Sequence, residues 1–143
     1  VTYSELTRRY FDRADGSGVL AGARAVRGEA GSRAQGTWVQ FDLAWRQAGA
    51  PGAEPAPPEI ETARFLAFAC PHTIAVASWV VERSVGRAVS RSLVEPVQAI
   101  ARRFDVPVAK LGRLLIVEDA WARAAAALIA AAGTGPGDSR CET

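Results

Sequence analysis

The chain has 143 residues, 49% hydrophobic and 22% charged, a balance that fits one globular domain and argues against a disordered or fibrous protein. Seventeen basic and fifteen acidic residues are interspersed and leave a formal net charge of +2, far from the concentrated excess of a nucleic-acid binder, so nucleic acid is not an expected partner. Two cysteines, Cys70 and Cys141, allow at most one disulfide, which excludes a cystine-stapled secreted scaffold.

Thr2-Tyr3-Ser4-Glu5 has capping-box spacing and predicts a helix start. Leu6 and Tyr10 then share a face, and Asp15-Gly16-Ser17-Gly18 ends the helix. No basic-then-apolar leader pattern occupies Val1–Glu5, so a reducing cytoplasm is the expected compartment. A weak strand is predicted from Ala23 to Ala30. Thr37 to Arg46 is the clearest strand, with Val39, Phe41, Leu43 and Trp45 alternating against Gln40, Asp42 and Ala44. That alternation predicts an antiparallel sheet covered on one face only.

Gln47 to Pro58 is rich in Ala, Gly and Pro and predicts a mobile hairpin connection. A third strand follows from Glu59 to Ala69. Pro71 suits a first helical turn, because its missing N–H costs nothing there. Ile74, Ala77, Val81 and Val85 mark the packed stripe of a helix ending near Gly86. The next helix starts at Pro96, packs Val97, Ile100, Ala101 and Phe104, and is stopped by Asp105-Val106-Pro107. The last spans Leu114 to Ala132; Glu118, Asp119 and Arg123 would each cost about 2.5–3.5 kcal/mol in a bilayer core, so no membrane partner is expected. Residues 1–132 are expected to form a single domain and 133–143 a flexible tail. The order predicts an α+β fold, a three-stranded antiparallel meander with helices packed on one face.

Generic chemistry is sparse. No phosphate-cradling Gly-x-x-x-x-Gly-Lys, nucleophile elbow, His-Glu-x-x-His or Cys-x-x-Cys occurs, and His72 is the only histidine. A nucleophile needs a base within reach and a group to orient it, and no orienting residue is legible, so the chain does not read as an enzyme. The informative point is Cys70, at a strand end and helix N-terminus, where unsatisfied N–H groups and the helix dipole favour thiolate. A small hydrophobe packed against the core is the alternative reading of the same position. His72 reads either as a second ligand or as a surface or capping residue. Cys141, in a tail of Gly, Pro and Ser, would carry a large ordering cost to reach Cys70.

The order of several segments resembles the iron–sulfur cluster assembly scaffold family, the IscU/NifU N-terminal type. Tyr3-Ser4-Glu5 through Tyr10 resembles the opening helix of that family. Gly31-Ser32-Arg33-Ala34-Gln35-Gly36-Thr37 is similar to its loop Gly-Ala-Pro-Ala-Cys-Gly-Asp. Ala63-Arg64-Phe65 through Ser78 is similar to Ala-Arg-Phe-Lys-Thr-Tyr-Gly-Cys-Gly-Ser-Ala-Ile-Ala-Ser. Val106-Pro107-Val108-Ala109-Lys110-Leu111-Gly112-Arg113 falls on Leu-Pro-Pro-Val-Lys-Leu-His-Cys, and Glu118-Asp119-Ala120 on Glu-Asp-Ala.

The resemblance implies a scaffold-like role in iron–sulfur cluster assembly, with iron–sulfur cluster or zinc as the implied cofactor. It also implies a cysteine desulfurase and an Hsp70-type chaperone as partners, the latter reading the segment that holds Val106, Pro107 and Lys110. Carried over residue by residue, the family's ligand positions become Gln35, Thr37, Cys70, Gly112 and Arg113. Of these only Cys70 is a metal-ligating residue, and a cluster or a structural zinc needs about four ligands. The chain therefore reads as a ligand-depleted pseudo-scaffold acting through protein contacts. A homodimer joining Cys70 and His72 of two protomers, and a sulfur-accepting or redox thiol at Cys70 paired with Arg113, are the alternatives.

Overall fold

A computed structural model describes residues 3–14, 16–47 and 56–133. In chain order these form α1 (Glu5–Arg13), β1 (Ala25–Ser32), β2 (Thr37–Arg46), β3 (Glu59–Phe68), α2 (Pro71–Ser84), α3 (Val97–Phe104) and α4 (Leu111–Gly133), with a 3-10 turn at Val108–Lys110 before α4. The strands form one antiparallel sheet in the order β1-β2-β3, so the α+β meander expected from the sequence is the observed fold.

The sheet's inner face carries Val39, Phe41 and Leu43 of β2, all fully buried, with Ala63 and Phe65 of β3 opposite them. The ladder shifts register between Ala44 and Trp45, pairing Trp45 with Ile60 rather than Glu61. A bulge of this kind offsets the two-residue period, so Ile60 joins the core while Glu61 stays exposed. Helix α4 lies on β1 and β2, and Trp121 meets Phe41 edge-on at 5.2 Å between ring centroids. Gly28 sits beneath it: a Cβ there would fall 2.1 Å from the backbone nitrogen of Ala124. Glycine makes β1 a poor strand by propensity, and it is what allows the helix backbone to approach this closely.

The outer face is not the solvated surface that alternation in β2 suggested. Gln40 and Asp42 are buried, Asp42 to 1% exposure. Residues 16–24 run from the edge of β3, where Gly18 N–H donates to the Phe65 carbonyl at 2.8 Å, across this face towards β1. On the way the Leu20 N–H donates to the Asp42 carboxylate at 2.9 Å, and Arg27 closes on the same carboxylate with two contacts of 2.9 and 3.1 Å. The polar residue is satisfied by a backbone donor and a guanidinium rather than by water, so it can be buried.

Helix α1 is capped two residues after the capping-box position predicted at Thr2, a residue outside the described set. Ser4 is the N-cap, accepting from the Thr7 N–H at 3.1 Å, and the buried Thr7 hydroxyl donates to the Phe104 carbonyl at 2.9 Å, tying α1 to the end of α3. Asp105, in the left-handed region at φ 56°, terminates α3 as expected. In α2 the single stripe expected from Ile74 to Val85 is an underestimate. The helix is enclosed by α1 and β3, so Thr73, Val76, Trp79 and Val80 are buried too, whereas Val85 lies past its end and is 45% exposed.

Helix α4 begins at Leu111, three residues before the expected Leu114, because the 3-10 turn delivers the chain into it already helical at Leu111 (φ −60°, ψ −34°). It ends at Gly133. The expected tail beyond it, with Cys141, and most of the expected Gln47–Pro58 connection lie outside the described residues.

Candidate functional site

Four chain segments converge at one end of the molecule: the β1–β2 turn, the end of β3 with the start of α2, the 3-10 turn, and the start of α4. The turn is closed by Gly36 N–H donating to the Arg33 carbonyl at 3.0 Å, and the Arg33 guanidinium stands 5.8 Å from the ring centres of both Trp38 and Phe68. At the foot of the same turn, a Cβ on Gly31 would reach Ile116 of α4 at 3.0 Å. Lys110 meets His72 at 3.4 Å, and Arg113 acts on Cys70. Gln35, Thr37, Cys70, Gly112 and Arg113, far apart in sequence, therefore share this end. Gln35 is exposed in the turn, Thr37 is buried at 4%, and Gly112 and Arg113 are exposed in the first turn of α4, not in a preceding loop.

Cys70 is the N-cap residue of α2, extended at φ −75° and ψ 163°, with Pro71 next. Its sulfur is half-buried and lies 3.5 Å from Thr73 Oγ1. Burial alone pushes the thiol's pKa up. The hydroxyl and backbone N–H of Thr73 and the guanidinium of Arg113 outweigh that and bring it below the ordinary thiol value. Thr73 was missed, although a hydroxyl three residues after an N-cap is a legible capping-type spacing.

His72 is neither a surface residue nor a cap. It is 2% exposed, with the Tyr3 ring edge-on at 4.7 Å and Lys110 Nζ 3.4 Å from its Nδ1. An ammonium can only donate, so Nδ1 accepts and the proton sits on Nε2. Burial first, then the Lys110 and Arg113 charges, lower its pKa against the opposing pull of Asp105. This is the setting of a neutral imidazole packed against a cation, poorly suited to presenting a ligand to a second protomer. Among the described residues no group of three or more His, Cys, Asp and Glu is placed to hold a metal ion.

The segment that holds Val106, Pro107 and Lys110 is a tight turn. Pro107 begins it, the Lys110 N–H donates to the Pro107 carbonyl at 2.8 Å, and Val106 packs towards the core. Lys110 is half-buried against His72 and Tyr3, its Nζ 5.6 Å from the tyrosine ring centre. The residue presented outward is Val108, 87% exposed, with Phe68 at 49% and Leu115 at 46% on neighbouring elements. Exposed Phe68 lies against Arg33, and exposed Val108, Arg113 and Leu115 add apolar and basic side chains at this end.

No family model matches the chain, and no curated protein matches it in sequence. Among solved structures it is similar to a candidate iron–sulfur cluster assembly scaffold protein for the SUF system from the thermophile Fervidobacterium islandicum AW-1. The two share 15% identity over 86% of this chain and 96% of that one, with a TM-score of 0.60. A hypothetical protein is also similar at 15% identity over 88% of this chain and 96% of that one, with a TM-score of 0.42. At such identity the first likeness establishes a shared fold, the scaffold-type α+β architecture. No helix among the described residues is long and apolar enough to cross a membrane.

Proposed function

We propose that this chain is a scaffold-like protein of iron–sulfur cluster assembly that carries no cluster of its own and works through protein contacts at the Cys70 end. The observation that carries this reading is the donor set. Where a scaffold of this fold would gather thiolates, this chain gathers Cys70 with Gln35, Thr37, Gly112 and Arg113. One soft donor beside a guanidinium cannot replace the roughly four ligands a cluster requires, and a fixed positive charge repels iron. The exposed Val108, Phe68 and Leu115 around that position supply area for a partner. A cysteine desulfurase and an Hsp70-type chaperone are the partners this reading names, and no catalytic turnover is part of it.

Two measurements test it. Anaerobic incubation with ferrous iron and sulfide, followed by desalting, is expected to leave no visible charge-transfer absorption and no retained iron; a coloured, iron-loaded protein would overturn the non-carrier reading. Co-purification with purified desulfurase and chaperone is expected to retain at least one of them, and to lose it when Val108→Asp and Phe68→Asp are introduced together.

A second reading rests on the lowered thiol pKa. The Cys70 thiolate attacks the outer sulfur of a donor persulfide, the new S–S bond forms on Cys70, and the donor leaves as thiolate. Mass spectrometry after exposure to a small persulfide is expected to show one added sulfur on Cys70, lost in Cys70→Ser.

A further inference from the structure

Away from the Cys70 end, a cleft of about 200 Å3 opens between the end of α2, the following loop and the middle of α4. Its lining joins Ile60, Leu93 and Trp121 to Ser84, Arg87 and Ser92. The loop is pinned in place: Ile60 N–H donates to the Arg87 carbonyl at 2.9 Å, Gly86 N–H to the Ile60 carbonyl at 2.8 Å, and the Trp121 indole N–H to the Ser90 carbonyl at 3.0 Å. Ser84 is 2% exposed, and its Oγ is a buried side-chain polar atom with no hydrogen-bond partner among the described residues. A helical serine ordinarily relieves such a hydroxyl on the carbonyl one turn earlier; this one makes no such bond, and its residue lines the cleft. Arg87, exposed at the rim, forms no ion pair among the described residues.

We infer that this cleft is a binding site for a small monocarboxylate with a short apolar body. The single guanidinium matches one carboxylate in a two-pronged contact, the Ser84 hydroxyl donates to it from inside, and Ile60, Leu93 and Trp121 cover the alkyl part. A doubly charged phosphate would leave its second charge uncompensated here and would have no use for the apolar wall. The volume suits a ligand of a few heavy atoms, for which ordinary ligand efficiency gives a dissociation constant of about 1 mM.

The test titrates the protein with sodium propionate against sodium chloride and sodium phosphate at matched ionic strength, read by amide and indole NMR. Propionate is expected to move the signals of residues 84–94 and the Trp121 indole saturably. Arg87→Ala, at an exposed position, is expected to weaken binding tenfold or more, and Ser84→Ala severalfold. Shifts that do not saturate, that chloride reproduces, or that persist unchanged in Arg87→Ala would mean a water-filled cleft only and overturn the proposal. Tighter binding of phosphate than of propionate would overturn the ligand class.

Discussion

Replacing Gly28 with alanine tests the packing on which the whole architecture rests. The new Cβ would fall 2.1 Å from the nitrogen and 2.6 Å from the Cα of Ala124, and 2.7 Å from the carbonyl carbon of Arg123. Favourable contacts between such atoms begin near 3.5 Å, so strand and helix must separate by about 1 Å, and no side-chain rotation relieves it because all three neighbours are backbone. That displacement loosens the Trp121–Phe41 contact and the buried Val117 and Ala120 along the same helix. Overpacking of this kind costs about 3 kcal/mol, and the lower unfolded-chain entropy of alanine returns about 0.7 kcal/mol, leaving a net loss of about 2 kcal/mol. For a domain of this size that lowers Tm by about 8 °C. Urea and thermal unfolding of Gly28→Ala are the assay. Gly36→Ala is the control, a residue in the left-handed region (φ 85°) but with open space around it, expected to lose only about 1 kcal/mol. A Gly28→Ala protein melting within about 2 °C of the parent would refute the account of how α4 meets the sheet.

Alkylation of Cys70 in a Cys141→Ser background should show a midpoint below that of an ordinary thiol, and both Arg113→Ala and Thr73→Ala should move it upward; a solution-like profile unaffected by either would remove the activated-thiol reading. His72 has a folded pKa below its unfolded value of 6.5, so its contribution to stability is present in full above pH 6.5 and is lost as pH falls from there through the lowered folded pKa. Unfolding free energy measured against pH should therefore decline in that window. Lys110→Met should shrink the decline, because removing the neighbouring cation raises the folded pKa. Asp42→Ala strips the acceptor from the Leu20 N–H and from Arg27, and is expected to cost about 2 kcal/mol in urea unfolding; part of the ion pair's worth is screened because Arg27 is half exposed. No loss would mean that the segment crossing the outer face is not anchored there.

Much of the architecture is local and so was open to reading from residue order. Alternating Val39, Phe41, Leu43 and Trp45 make a strand whatever surrounds them, Pro71 and Asp105 punctuate helices by fixed backbone preferences, and Val97, Ile100, Ala101 and Phe104 can share a face only as a helix. The position of Cys70 at a strand-to-helix junction was likewise a matter of neighbours in the chain. Its environment was legible only in part: Arg113 was expected beside it from the resemblance, while Thr73 went unnoticed.

What the order of residues left open depends on contacts between segments far apart. Periodicity marked Gln40 and Asp42 as solvent-facing, because nothing in β2 announces that residues 16–24 will cross that face and offer a backbone donor. The polar character of His72 gave no hint that Tyr3 and Lys110, 69 residues behind and 38 ahead, would wall it in. Gly28 weakens β1 as a strand when read alone and becomes intelligible only against the backbone of α4. Composition and spacing thus determined which elements form and placed Cys70 at a strand-to-helix junction. Burial, protonation and the surface offered to a partner were decided by tertiary packing, since each depends on distances between atoms that the linear chain does not fix.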